Sequence, residues 1–161
     1  MKKFHGIEKI VSGGQTGVDR AALDVAIALG IEHGGWCPKG RLSEDGPIAS
    51  KYLLVEMESK DYAKRTEQNV IDSDATLIIY QQKLQGGTLL TQKLAKRLAK
   101  PFFRIRTDAK LDVGRFLDWI EENSVHVLNV AGPRASSQPE IASVTQEILR
   151  RLLLASPRFP Q

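Results

Sequence analysis

The stretch that decides the fold is KIVSGGQTGVDRAALDVAIALG, residues 9–30. A short apolar segment runs into Gly13 and Gly14, then a polar pair, then Gly17, and from there into a nearly all-apolar stretch with helical spacing. This pattern predicts a strand, a tight turn with bare backbone, and a helix whose N-terminus points at a ligand. Working outward, apolar runs bounded by turn residues recur at Ile7–Val11, Tyr52–Met57, Ala75–Tyr80, Pro101–Ile105 and Val125–Val130, with a shorter one at Ile31–Trp36. Between them, helical spacing covers Val18–Leu29, Asp61–Ile71, Thr88–Ala99, Asp112–Glu122 and Pro139–Leu153.

Strands that alternate with helices, and that are apolar almost throughout, predict a parallel sheet covered on both faces. The expected fold is a single-domain three-layer α/β/α sandwich, Rossmann-like, over residues 1–154, followed by a frayed tail, ASPRFPQ, at 155–161. A chain of 161 residues can bury one real core and is too short for two ordinary ones. With 42% hydrophobic and 26% charged residues and no long apolar run, it reads as a soluble protein with no membrane span. MKKFHGIEK at the start has no apolar segment of signal-peptide type behind it, so a cytoplasmic location is expected.

One cysteine, Cys37, excludes an internal disulfide, and three scattered histidines give no metal-ligand spacing. The net charge of +4 is spread along the chain, which suits a small anion at least as well as nucleic acid. The basic run KLAKRLAK, residues 93–100, reads as a solvated helix face.

In an open parallel sheet, ligands sit outside the carboxyl ends of the strands. Three turns fall there: Ser12 to Gly17, QQKLQGGTLLT at 81–91 and AGPRASSQP at 131–139. Glycine allows close approach, and helix N-termini supply donors and partial positive charge, so a phosphate-bearing ligand is expected. Residues 34–50, GGWCPKGRLSEDGPIAS, form a loop far longer than a strand–helix link needs, which marks a binding loop. Arg65 could clamp an anion, and Glu44 with Asp45 is an acidic pair beside the proposed site. Neither the P-loop pattern nor the dinucleotide pattern is met, which argues against a P-loop NTPase and against NAD. No histidine base or carboxylate pair announces a catalytic centre.

SGGQTGVDRAAL, GGWCPKGRLSEDGPI, YLLVEMESKDYAKRTEQNVIDSDATLII, GGTLLT and AGPRASSQP occur in this order over nearly the whole chain. In these motifs the sequence resembles the putative molybdenum carrier family, within the superfamily of Rossmann-like proteins that holds the LOG-type phosphoribohydrolases and the DprA and YpsA-like proteins. The resemblance implies that a pterin phosphate, the molybdenum cofactor, or a nucleotide is held across the glycine-rich loops and passed on unchanged, in the first case to a molybdoenzyme acceptor. It implies phosphate contacts at Gly13, Gly14, Gln15 and Thr16 and at Gly86, Gly87 and Thr88. Gly35, Lys39 and Arg41 would cover the ligand, and Arg65 and Arg134 complete the expected set. It also implies a homo-oligomer, dimer or tetramer, and no direct protein–metal bond, because the pterin's sulfurs hold the metal. The alternatives are a nucleotide-processing hydrolase and a nucleotide sensor. For the hydrolase, QGGTLLTQ lacks the second glycine spacing and the glutamate of the LOG-type segment.

Overall fold

The structure is a computed structural model, and it describes residues 6–157. Five strands form the main sheet: β1 (Lys9–Val11), β2 (Glu32–Gly34), β5 (Ala75–Tyr80), β6 (Phe102–Arg106) and β7 (Val127–Ala131). Their order is β2-β1-β7-β5-β6, and every neighbouring pair is parallel. The helices are α1 (Val18–Leu29), α2 (Tyr62–Ile71), α3 (Gly86–Arg97), α4 (Val113–Glu122) and α5 (Ile141–Leu154). The expected three-layer, Rossmann-like fold is the one observed.

The sheet is buried on both faces, which is why its sequences do not alternate. In β5, Ala75 to Ile79 are all buried. On one face Leu77, Ile79, Leu128 and Val130 meet Val18 and Ala22 of α1, Phe116 and Ile120 of α4, and Leu149 and Leu152 of α5 in one core. Helix α1 is rich in alanine where it lies against α5, and small side chains allow that approach. It ends in a Schellman motif: Gly30 takes a φ of 70°, and the Ile31 N–H bonds to the Ala26 carbonyl at 2.9 Å. Helices α2 and α3 pack together elsewhere.

Two helix starts are set by aspartate rather than by the first apolar residue. Asp61 accepts from the Ala63 N–H, and Asp112 accepts from the Arg115 N–H at 3.0 Å, so both stand one position before the helices that the spacing predicted them to begin. Replacing Asp112 with alanine is expected to lower stability by about 1 kcal/mol, read as a shift in the urea midpoint.

The expected strand at Tyr52–Met57 is corrected. Only Val55–Glu56 is extended as β4, and it pairs with β3 (Trp36–Cys37) in a separate two-stranded sheet. Tyr52 and Leu54 instead close a small second core with Leu23, Cys37 and Ile48, while Leu53 and Val55 are exposed. The expected short strand at Ile31–Trp36 divides between the two sheets. The break is Gly35, with φ of 129° and a position where a Cβ would lie 2.2 Å from the Ser12 carbonyl oxygen. At the C-terminus the expected tail is packed for part of its length: Ser156 is buried and donates to the Leu153 carbonyl. Residues 158–161 lie outside the described residues.

Candidate functional site

Numbered along the chain, the five core strands run 2-1-5-3-4 across the sheet. If the last strand–helix unit, β7–α5, is counted first, the same order becomes 3-2-1-4-5, the order of a dinucleotide-binding sheet. The order then reverses between β7 and β5, and that is where a ligand crevice is expected. A cleft of about 420 Å³ lies there, lined by Gln81 to Thr88 residues after β5 and by Gly132, Pro133 and Arg134 after β7. Its remaining wall comes from Gln15 and Asp19 at the start of α1 and from Tyr62, Arg65 and Thr66 of α2.

Helix α3 opens onto this cleft at Gly86, Gly87 and Thr88. Its N-cap residue, Gln85, makes no side-chain cap, and among the described residues the backbone N–H groups of Gly86, Gly87 and Thr88 have no partner. A Cβ built on Gly86 or Gly87 would meet nothing within 4 Å, so this turn is open space as well as bare backbone. Unpaired donors at a helix N-terminus carry partial positive charge. Arg134 stands on the other side, stacked over the Tyr62 ring at 5.6 Å, and Arg65 lies over the same ring at 5.7 Å. An anion in the cleft is therefore met by helix donors and two guanidinium groups.

The first glycine turn is built differently from the expectation. Three of its backbone donors are already used: Gly14 N–H on Ser12 Oγ at 3.3 Å, Gln15 N–H on Asp19 Oδ2 at 3.3 Å and Thr16 N–H on Gln15 Oε1 at 3.0 Å. Gly13 gives room to the Arg65 guanidinium, which would lie 1.8 Å from a Cβ there. Gly14 takes a φ of 75° with Leu54 and Ile48 against it. Gln15 lines the cleft, whereas Gly13, Gly14 and Thr16 stand behind it.

The long loop also departs from its expected role, because none of residues 34–50 lines the cleft. Arg41 is a staple for the loop itself: it donates to the carbonyls of Ile48, Ala49, Tyr52 and Leu54 at 2.8–3.4 Å. Lys39 is exposed, and Gly35 serves the strand break described above. What the loop does is brace the first turn. Glu44 accepts from Thr16 Oγ1, from Ser136 N–H at 3.0 Å and from Ser136 Oγ at 2.6 Å, while Asp45 ion-pairs with Arg20 at 3.0 Å. The Ser136 and Thr16 bonds hold the Glu44 carboxyl below its usual range, and Arg20 with Ser43 brings Asp45 from 3.8 down to about 2.

Both folded values are depressed, so this bracing is present above the ordinary carboxylate range and is lost as pH falls toward 2. Protection of the Ile48 and Gly46 amides against hydrogen exchange is expected to hold at pH 5 and to collapse on the way to pH 2. Protection that persists unchanged to about pH 2 would remove the bracing role.

Sequence reasoning passed over two groups at the cleft. Tyr62, in the first turn of α2, forms part of the wall. Asp19 reads as a first-turn acid favoured by the helix dipole, yet its side chain is buried, with Arg65 Nη1 at 3.4 Å. Burial pushes its carboxyl above the usual range, against the pull of Arg65 and the Gln15 N–H. A buried acid opposite an arginine 46 residues away along the chain leaves no local signal.

Sheet order and cleft together define a Rossmann-like domain whose strand–helix units have been circularly shifted. The chain belongs to the circularly permuted YpsA family of the SLOG superfamily: the model described as "Circularly permutated YpsA SLOG family" matches residues 10–153. It is similar to a crystal structure of a "putative molybdenum carrier protein" from Syntrophus aciditrophicus SB, with 48% sequence identity and a TM-score of 0.87. That match covers 91% of this chain and 95% of the other. No curated protein matches the chain.

Proposed function

We propose that the protein is a carrier: it binds a small phosphate-bearing ligand in the cleft between β5 and β7 and releases it unchanged. The cargo we infer is a pterin phosphate of the molybdenum cofactor type, with a nucleotide as the second choice. The observation that carries this reading is the start of α3, where three backbone N–H groups without a partner among the described residues open the helix onto a cleft that Arg65 and Arg134 also line. Such a terminus is suited to a phosphate because both the donors and the dipole favour negative charge. A cleft of about 420 Å³ is also in the range that encloses a small organic ligand. The name of the Syntrophus relative supports the choice of cargo.

The donor set fits the phosphate rather than the metal. Among the described residues no cluster of three or more His, Cys, Asp or Glu is arranged to hold a metal ion, and a pterin that brings its own sulfurs to molybdenum requires none. The deciding experiment is mass spectrometry and metal analysis of small molecules released from protein purified from its own cells. A pterin phosphate with molybdenum is the expected result. A nucleotide in its place would overturn the cofactor cargo, and turnover of that nucleotide by the protein would make it a hydrolase.

A further inference from the structure

Asp19 puts a half-satisfied carboxylate into the cleft wall. It stands in the first turn of α1, is 4% exposed, and lines the cleft. Its two partners share one oxygen: the Gln15 N–H at 3.3 Å and Arg65 Nη1 at 3.4 Å both reach Oδ2. Among the described residues nothing donates to Oδ1. The unpaired side-chain atoms sealed from solvent include Gln15 Nε2 and Arg65 Nε beside it, but not this oxygen. Oδ1 therefore keeps open surface, and the space that Asp19 lines is the cleft.

A carboxylate has about four lone-pair directions to fill, and burial removes the water that would fill them. That loss pushes the Asp19 carboxyl upward, and Arg65 with the Gln15 N–H offsets it in part. Since both partners sit on Oδ2, the unmet demand is at Oδ1. Charge and hydrogen count decide what fits there. A phosphate dianion brings a like charge and no hydrogen. A cation is not called for, because the Arg65 guanidinium already faces the charge. A ring carbonyl finds no hydrogen on a carboxylate held beside a guanidinium. A neutral N–H or O–H satisfies the oxygen without adding charge.

We propose that Asp19 Oδ1 is the donor-reading point of the cleft: it accepts a hydrogen bond from a neutral N–H or O–H of the ligand, supplied by a heterocycle or by a sugar hydroxyl. This rests on the carrier role above and adds selectivity to it. The start of α3 selects for phosphate, and Asp19 selects among phosphates by what else they carry. The cleft thus has two unlike points of attachment, helix donors for the anion and a buried acceptor for a neutral donor.

Asp19→Asn tests this closely, because the amide keeps an oxygen for Gln15 and Arg65 and turns the open atom into a donor. Calorimetry at about pH 8, where a phosphate monoester has lost its last proton, compares methyl phosphate, ribose 5-phosphate and guanosine monophosphate. The expected result is a change of opposite sign between ligands. Methyl phosphate binds the variant about threefold more tightly than wild type, because a negative charge has left the cleft wall. The ligand that donates to Asp19 binds about tenfold or more weakly. A ring N–H as the donor weakens guanosine monophosphate alone, whereas a sugar hydroxyl weakens ribose 5-phosphate as well. Affinities that rise together for all three would leave Asp19 as a charge only and overturn the proposal. Affinities that fall together, along with the melting temperature, would leave it as a structural acid and overturn it too. The wild-type protein gives a reading that needs no variant to fold: guanosine monophosphate is expected to bind about tenfold or more tightly than methyl phosphate. Equal affinities would overturn the donor-reading point and leave the carrier role standing. Failure of the wild type to bind all three would overturn both.

Discussion

Gly87→Asp is expected to leave the melting temperature unchanged or slightly raised while lowering affinity for a phosphate-bearing ligand by about a hundredfold or more. The two effects part because the position is structurally free and electrostatically committed. Nothing lies within 4 Å of a Cβ at Gly87, so the side chain meets no clash. A carboxylate in the first turn of α3 also suits the helix dipole and replaces a poor helix former. For a bound phosphate, the same carboxylate is a like charge placed among the donors meant for it. Melting curves and calorimetry on the one variant decide the matter. Affinity within about threefold of wild type would show that the phosphate does not sit at α3.

Gly132→Ala and Gly17→Ala should fail in the opposite way, through the fold. At Gly132 a Cβ would lie 2.3 Å from the Ile79 carbonyl oxygen and 2.5 Å from Val18 Cγ2, between two elements of the core. At Gly17 it would lie 2.3 Å from the Pro133 carbonyl oxygen, and φ is 83°, a conformation that side chains resist. The Ile79 and Pro133 carbonyls and the β-branched Val18, fixed in the core, cannot yield as a flexible side chain can, so each change is expected to cost about 3–5 kcal/mol through overpacking, with backbone strain added at Gly17. For a domain of this size that is a fall of roughly 10 °C in melting temperature. Gly30→Ala is the control: φ is 70° but nothing lies within 4 Å, so only the strain of about 1 kcal/mol remains. Losses at Gly17 and Gly132 no larger than at Gly30 would mean that the close approach of the β7–α5 turn to α1 is not what these glycines serve.

The elements that could be read along the chain are those whose pattern is set by their own burial. Helix α1 and strand β5 have the bounds expected of them, because a buried helix and a strand buried on both faces leave unbroken apolar runs. The Tyr52–Met57 run misled for the same reason. Its apolar residues are divided between a small satellite core and solvent, and hydrophobicity does not say which sheet a segment joins. Glycine pairs and serine-containing turns at the strand ends pointed to the edge of the sheet where the cleft lies. Which glycine faces space and which faces a side chain was not legible. Gly13 and Gly87 look alike in sequence, yet one lies under Arg65 and the other lies open. Arg41 likewise looks like any loop arginine, and its four carbonyl partners become visible only once the loop has closed on itself.

The strand order has a consequence for how the protein comes into being. β7 pairs with β1 on one side and β5 on the other, so it is the keystone of the sheet, and among the described strands it comes last along the chain. Until it arrives, β2–β1 and β5–β6 are two separate pairs, each presenting an unsatisfied inner edge. The turn that supplies Arg134 follows β7 directly, so the ligand cleft and the continuous sheet are completed by the same event. On the carrier reading proposed above, the β7 side of the cleft and Arg134 are missing until that strand and its turn are made, so the site is complete only once the sheet is.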